Sequence, residues 1–471
     1  MNLTNFYINQ HGCAKNQTDG EIIIKYLEQA GFKYTDSPEE AGFILINSCG
    51  FIESAKKESI NAIYDIKQAY PDAKIILTGC LAERYSDMLF ESMPELDGIF
   101  GNGNLSKIAE FMKQFTEVPS GRFVKTYPQQ EICAAERDIL FNYPGSAYVK
   151  ITEGCSNHCS FCAIPLIRGE VRSRTIKEVI QEIKTLIEKG VYEINLIGQD
   201  LAVFGQENNE SLAKLLAAIH ELEGEFIVRL LYIHPDHFTK DIIEEIKKDS
   251  RILHYFDIPF QSGDDKIIKS MNRIGPSSAY IEMINNLRKE LPDTVLRTTF
   301  LTGFPGETDE AAENTYNFLK NISPDWSGCF PYSREENTPA YDFKPRVPAK
   351  TAKKRAEKLE ELQSKITEEK LQKYVGQKFD VIVEEIIELD EKVAEDSDEG
   401  LALGRAWFQA PEVDGCMVIR YDRSVKEEME SIRPGNIVTV KVLSVSGVDL
   451  DSRYISCKKA KTKNNINFIL N

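Results

Sequence analysis

The sequence predicts an α/β protein built from an N-terminal parallel α/β domain, a central partial barrel of six strands and a small antiparallel β-barrel. Three observations predict this class. Apolar runs alternate with helical patterns three times in residues 1 to about 110, and again from about 145 to 340. Beyond residue 376 the pattern changes to short strands separated by turn residues. Continuous apolar strands alternating with helices are typical of parallel sheets covered on both faces, and 471 residues exceed one ordinary core.

Each strand of the first domain is followed by a cysteine. The predicted strands 5–9, 42–47 and 74–78 precede Cys13, Cys49 and Cys80. Sites in parallel sheets form beyond the carboxyl ends of the strands, and neighbouring strands lie roughly 5 Å apart, so three thiols can meet there. Three unrelated buried cysteines are the alternative, since cysteine is a common core residue. The shared position, with a glycine beside each cysteine, favours a cluster.

A second set of cysteines lies on one short loop after the predicted strand 147–152. Cys155, Cys159 and Cys162 are spaced so that three thiolates can converge on a soft-metal centre. Three protein ligands leave one coordination position of the metal open, which is more typical of catalytic metal sites than of structural ones. A structural zinc would need a fourth ligand, and His158 lies between two cysteines where its reach is poor. Disulfides are disfavoured because nothing else in the chain resembles a secreted protein.

The central part is predicted to be an open barrel with polar residues at its strand ends. Its strands are 147–152, 192–198, 226–232, 254–259, 294–301 and 326–332, short of the eight in a closed barrel. Gln199 and Gln261 follow the second and fourth strands, and Arg297 lies on the fifth. Arg297 has the geometry to hold a carboxylate with two hydrogen bonds. For each residue alone, an ordinary strand-end loop is an equally good interpretation.

Two further sets of side chains receive mainly structural interpretations. His234, His237 and His254 lack the spacing of a ligand set, and we interpret them as structural. The default interpretation of the basic run 168–174 is a solvent-exposed face. Its position directly after the cysteine loop also favours a contact with cofactor or substrate.

Charge and termini indicate the compartment. The formal net charge is −17 and the pI about 5.1, which argues against a polyanion as main partner and favours a basic protein. The N-terminus lacks a basic segment followed by an apolar one, and no apolar run reaches membrane-spanning length. We expect a cytoplasmic protein without a membrane partner.

The predicted domains are 1–115, 140–345, a linker helix 346–374, a β-barrel 375–457 and a flexible tail 458–471. Residues 349–374 of this linker are rich in Ala, Lys, Glu and Leu without glycine or proline, which favours a helix. Residues 375–457 contain 18 Asp or Glu and 9 Lys or Arg. Because nucleic acid is bound through Lys and Arg, this module should prefer a basic protein. Cys416 and Cys457 lack partners and are interpreted as incidental.

The motifs of all three parts resemble the radical S-adenosylmethionine (SAM) methylthiotransferases. The loop with Cys-x3-Cys-x2-Cys and Phe161 before its last cysteine resembles the radical SAM signature. The runs 12–21, 47–55 and 78–82 resemble the methylthiotransferase N-terminal domain, with Gly20 where serine is common, and the C-terminal barrel resembles the TRAM module. The resemblance implies SAM and two 4Fe-4S clusters, held by Cys155, Cys159 and Cys162 and by Cys13, Cys49 and Cys80. We assign SAM contacts to Gln199, Gln261, Arg297 and Phe161.

The family resemblance also implies the reaction. In that family the SAM-binding cluster accepts an electron from a low-potential donor such as flavodoxin or ferredoxin and cleaves SAM. The resulting radical removes hydrogen from the substrate. The auxiliary cluster presents a sulfur that a second SAM methylates, and the methylthio group then passes to the substrate.

Two branches of the family differ in substrate. One modifies an adenosine in transfer RNA, and the RimO-like branch modifies the β-carbon of an aspartate in ribosomal protein S-twelve. Residues 49–55, the run 404–415 and the acidic module favour the ribosomal branch, whereas the tripeptide 261–263 resembles the transfer-RNA branch. We predict the ribosomal substrate. A non-enzymatic iron-sulfur factor that binds ribosomes is the remaining alternative, and it would not cleave SAM.

Overall fold

Parallel strands form the N-terminal sheet of the computed structural model, which describes residues 4–129, 132–388, 398–459 and 466–469. The central strand is buried along its whole length, because helices cover both faces. The sheet order is β2-β1-β3-β4-β5-β6. The strands are β1 Asn5–Gln10, β2 Lys33–Tyr34, β3 Phe43–Ser48, β4 Lys74–Thr78, β5 Gly98–Phe100 and β6 Phe123–Lys125. The helices are α1 Ala14–Gln29, α2 Glu53–Ala69, α3 Gly79–Ser92 and α4 Ile108–Glu117.

Six parallel strands form the central sheet in the order β15-β14-β13-β12-β11-β8. They are β8 Ser146–Lys150, β11 Glu193–Ile197, β12 Ile227–Leu230, β13 Ile252–Asp257, β14 Val295–Thr302 and β15 Trp326–Pro331. The edge strands β8 and β15 do not pair with each other, so the barrel is open. The surrounding helices are α5 Ile164–Arg168, α6 Ile176–Glu188, α7 Leu212–His220, α8 Lys240–Ile246, α9 Asp265–Ser270, α10 Ser277–Glu290 and α11 Asp309–Ile322. Short strands β9 Thr152–Glu153 and β10 Arg172–Ser173 pair beside the cysteine loop.

Helix α12, Ala349–Leu371, leads into a closed five-stranded barrel. Its strands are β16 Lys378–Ile387, β17 Glu399–Arg405, β18 Met417–Asp422, β19 Ile437–Ser446 and β20 Asp449–Lys459, with α13 Lys426–Ser431. The predicted α/β class with three parts is confirmed. Sequence reading missed β20, and the pairing of β18 with β20 is parallel, whereas an antiparallel barrel was expected.

The described part of the tail pairs with the body of the protein. Strand β21, Asn467–Phe468, lies parallel to β7, Ile139–Leu140, and Ile466 is buried. This differs from the expected flexible tail, of which residues 460–465, 470 and 471 lie outside the described residues.

The C-terminal module packs against the amino ends of the barrel strands. Glu193, the first residue of β11, accepts hydrogen bonds from Arg229 and from Arg405 of the module. Trp326, the first residue of β15, donates to the carbonyl of Phe408 at 2.9 Å. The run 404–415 therefore fills the lower end of the barrel and leaves the carboxyl ends of its strands to face the N-terminal domain.

In the part of the chain that the structure describes, no helix has both the length and the apolar character needed to cross a membrane.

Candidate active site between the two cysteine sets

The loop with Cys155, Cys159 and Cys162 is shaped by backbone contacts. Gly154 has φ +76, and a Cβ there would lie 2.1 Å from the carbonyl oxygen of Glu170, so only glycine fits. Cys155 N–H donates to the carbonyl of Gly169, and Cys162 N–H to that of Cys159. These two hydrogen bonds hold the loop in a compact conformation that contains all three cysteines.

The three thiols of this loop act on one another electrostatically. Burial, followed by the neighbouring Cys159, raises the pKa of Cys162 to about 12, and burial raises that of Cys155 to about 11. The structure therefore brings these three sulfurs together. Cys155 and Cys162 are therefore protonated as free thiols near neutral pH, and a bound metal centre would be needed to hold them as thiolates.

The cysteines of the N-terminal domain also converge. A Cβ at Gly12 would lie 3.5 Å from the sulfur of Cys49, and one at Gly50 would lie 2.7 Å from the carbonyl oxygen of Cys80. Burial raises the pKa of Cys49 to about 12, and Cys80 and Cys13 raise it further. Cys13, Cys49 and Cys80 therefore meet at the carboxyl ends of β1, β3 and β4.

Cys13 has a different electrostatic environment from its two neighbours. It is accessible to solvent, although many protein atoms surround it. Desolvation raises its pKa, but the cations of Lys15 and Arg168 outweigh this and hold the pKa of Cys13 below its usual value. This thiol is the most easily ionised of the three.

Arg168 connects the chain segment that follows the cysteine loop to Cys80 of the other set. It ends α5, six positions after Cys162, and its Nη2 donates to the sulfur of Cys80 at 3.3 Å. Its Nη1 lies 2.9 Å from a carboxylate oxygen of Asp19 and 2.7 Å from one of Glu153. Arg168 is 2% exposed, so the expectation of a solvated basic face is wrong for this residue.

The residues predicted to contact SAM have different surroundings. Among the described residues, both amide atoms of Gln199 are buried without a hydrogen-bond partner, as is Oε1 of Gln261, whose φ is +70. Such buried polar atoms at strand ends are available to a polar ligand. Phe161 packs against the apolar cluster around Ile267 and Met271.

Arg297 lies near the amino end of β14 and is already paired. Its Nε is 3.3 Å from Asp414 and its Nη1 3.5 Å from Asp257. A SAM carboxylate would have to compete with both groups. This position gives no support to the predicted contact with SAM.

Two histidines interpreted as structural lie beside the cysteine loop. His234 Nε2 is 3.9 Å from the sulfur of Cys159, and its Nδ1 accepts the N–H of Asp236 at 3.3 Å. Burial and Arg273 lower the pKa of His234 to about 4, so the ring is neutral and carries its proton on Nε2. The sequence could have indicated a functional role for His234 through its position just beyond β12, at the carboxyl end of the barrel.

Asp200 connects this histidine turn to the cysteine loop. Its Oδ2 lies 2.6 Å from Nδ1 of His237 and accepts from Asn157 at 3.1 Å, while its Oδ1 accepts the N–H of His234. Asn157 lies between two of the cysteines. The network fixes the turn relative to the loop.

The donor sets fit iron-sulfur clusters. Each contributes three thiols, the soft ligands that such clusters require. The unsatisfied amides of Gln199 and Gln261 lie at the same end of the barrel as one set, where a polar cofactor would satisfy them.

Comparison with known proteins identifies each part of the chain. Residues 5–101 match the uncharacterized protein family UPF0004, residues 149–319 the radical SAM superfamily, and residues 375–455 the TRAM domain. The solved structure of the radical SAM methyltransferase TsrM from Kitasatospora setae, with tryptophan and a SAM analogue bound, covers 72% of this chain and 74% of its own, with a TM-score of 0.54. At 14% identity this likeness shows the fold alone.

Curated relatives match over almost their full length. A protein of Treponema denticola named ribosomal protein uS12 methylthiotransferase RimO is 49% identical, covering 94% of this chain and 99% of the relative. A protein of the same name from Natranaerobius thermophilus is 40% identical, covering 87% and 91%. The family uses SAM and two 4Fe-4S clusters. The chain therefore belongs to the RimO family of radical SAM methylthiotransferases.

Proposed function

We propose that this protein transfers a methylthio group to the β-carbon of an aspartate in ribosomal protein uS12. The observation that carries the proposal is the packing of Cys80 against Ala163 and Ile167, just after Cys162, with Arg168 bonded to Cys80. The chain is also 49% identical to a curated uS12 methylthiotransferase. Two cluster sites at one place match a reaction that needs both a radical source and a sulfur donor.

We assign the clusters to the six cysteines predicted from sequence. Cys155, Cys159 and Cys162 would hold the cluster that binds SAM, and Cys13, Cys49 and Cys80 the auxiliary one. When bound, these groups supply reductive SAM cleavage and the transferred sulfur. The boundaries 1–115, 140–345, 346–374 and 375–457 remain our proposed domains.

The chain's own residues organise this site. Arg168 places a buried cation beside Cys80, where it offsets the negative charge of cluster thiolates. The unpaired amide of Gln199 and the unpaired Oε1 of Gln261 are available for polar atoms of SAM. The C-terminal module closes the lower end of the barrel through Arg405 and Glu193, which limits water access from that side.

The proposed partner is a basic protein. The excess of acidic residues in 375–457 opposes binding to a nucleic-acid backbone and favours a cationic protein surface. We further propose a cytoplasmic location and a low-potential electron donor such as flavodoxin or ferredoxin.

The proposal is tested with reconstituted protein, SAM, a reductant and either uS12 or transfer RNA. Mass spectrometry should find the methylthio group on an aspartate of uS12 and leave transfer RNA unchanged. Modification of adenosine would overturn the substrate assignment. If 5′-deoxyadenosine never formed under reducing conditions, a non-enzymatic iron-sulfur factor would be the better interpretation.

A further inference from the structure

Lys15 extends from the N-terminal domain into the carboxyl end of the barrel. It belongs to the first turn of α1, two positions after Cys13, and is 8% exposed. Its Nζ lies 3.4 Å from the ring centroid of Tyr232 and donates to the carbonyl of Gly198 at 3.3 Å. Gly198 and Tyr232 follow β11 and β12, so the ammonium lies between the two halves of the site.

This buried ammonium lacks a carboxylate partner. Within the described residues, no carboxylate oxygen lies within 4.0 Å of its Nζ, since the nearby acids pair with other cations. Asp257 pairs with Arg297, and Glu153 with Lys150 and Arg168. An ammonium has three donors, and one carbonyl and one aromatic face leave it incompletely satisfied.

The remaining charges around Lys15 do not change this conclusion. Burial lowers the pKa of Lys15 and Arg168 lowers it further, whereas the charges of Cys13, Asp257 and Glu153 raise it. Of these, the thiol of Cys13 is a proposed cluster ligand and the two acids are already paired. A buried charge is costly unless it is paired, so the Lys15 ammonium favours an incoming anion beside it.

We propose that Lys15 binds the side-chain carboxylate of the target aspartate. The inference rests on the proposed function and names the residue that recognises its substrate. In aspartate the β-carbon is bonded directly to the carboxylate carbon, so a cation holding the carboxylate fixes the reacting carbon one bond away. That carbon then lies at the carboxyl end of the barrel, beside Gly198 and Tyr232. An adenosine base carries no carboxylate, and Lys15 therefore also selects the substrate class.

The test compares uS12 with a uS12 variant in which the target aspartate is asparagine. Holoenzyme binding of each is measured by fluorescence anisotropy for wild type, Lys15→Met and Lys15→Arg. Wild type should prefer the aspartate form by about 10- to 100-fold, as expected for a buried charge-assisted hydrogen bond. Lys15→Met should bind both forms equally, and Lys15→Arg should retain part of the preference.

The matched control is Lys113→Met, which removes an exposed lysine of α4 and should keep the wild-type preference. SAM affinity and the electron paramagnetic resonance of the auxiliary cluster are measured on the same samples. If Lys15→Met weakened SAM binding and kept the preference for aspartate, the carboxylate would belong to SAM and the proposal would be wrong. An altered cluster spectrum with an unchanged preference would instead mean that Lys15 only offsets the Cys13 thiolate.

The test remains decisive even if a variant of this chain fails to fold. If wild-type holoenzyme bound the aspartate and asparagine forms equally, carboxylate recognition would be overturned without any substitution in this chain. Failure of the proposed function gives a different result, because wild-type enzyme would then leave uS12 unmodified.

Discussion

Replacing Arg168 with methionine should loosen the contact between the N-terminal domain and the barrel. The guanidinium bonds to Asp19, Glu153 and Cys80 while its side chain is 3% exposed. Removing one partner of a buried ion pair costs about 3–5 kcal/mol. Lys150 still bonds to both acids in the variant, which places the cost near the lower value, about 3 kcal/mol.

The assay is amide hydrogen exchange of residues 153–174, read by mass spectrometry, which reports the free energy of local opening. A loss of about 3 kcal/mol raises exchange on the order of 100-fold. Arg420→Met is the control, because Arg420 also bonds to two carboxylates, Glu399 and Asp451, each at 2.7 Å. Its side chain is 37% exposed. In this control the free energy of local opening, measured for its own strand β18, should therefore fall by only about 0–1 kcal/mol.

Equal exchange in this segment for Arg168→Met and wild type would refute the reasoning. It would mean that the buried pairs contribute no more than the surface pairs of Arg420, and that other contacts hold the two domains together.

Three other predictions concern the clusters and the C-terminal module. Cys155→Ala should abolish SAM cleavage, whereas Cys80→Ala should retain some cleavage and lose methylthio transfer; wild-type transfer by Cys80→Ala would contradict the two-cluster assignment. His234→Phe removes an N–H directed at Cys159, so the potential of the SAM-binding cluster should become more negative in a redox titration, with His254→Phe unchanged. The cations around Glu193 outweigh its burial and lower its pKa. Its stabilisation is thus present above its unfolded pKa of about 4.3 and is lost as pH falls below it. Acid unfolding should be less steep in Glu193→Gln, and an unchanged profile would contradict this.

Sequence alone predicted the fold class and both cysteine sets. The loop around Cys159 was recognisable because its three cysteines lie within eight residues. Cys13, Cys49 and Cys80 were predicted to meet because parallel strands bring their carboxyl ends to one edge. The structure places these sulfurs together, and their role as cluster ligands stays a prediction.

The tertiary structure decided which charged groups meet. Arg405 bonds to Glu193 across 212 positions of sequence, and Lys15 reaches Gly198 across 183. Hydrophobic periodicity indicates the type of an element and its buried face, but it carries no information about which distant polar side chain it will contact. For this reason the run 404–415 gave a family resemblance in sequence and only in the structure showed its place beneath the barrel. Lys15 was one lysine in a motif until the fold placed it beside Gly198 and Tyr232, where no carboxylate of the described residues pairs with it.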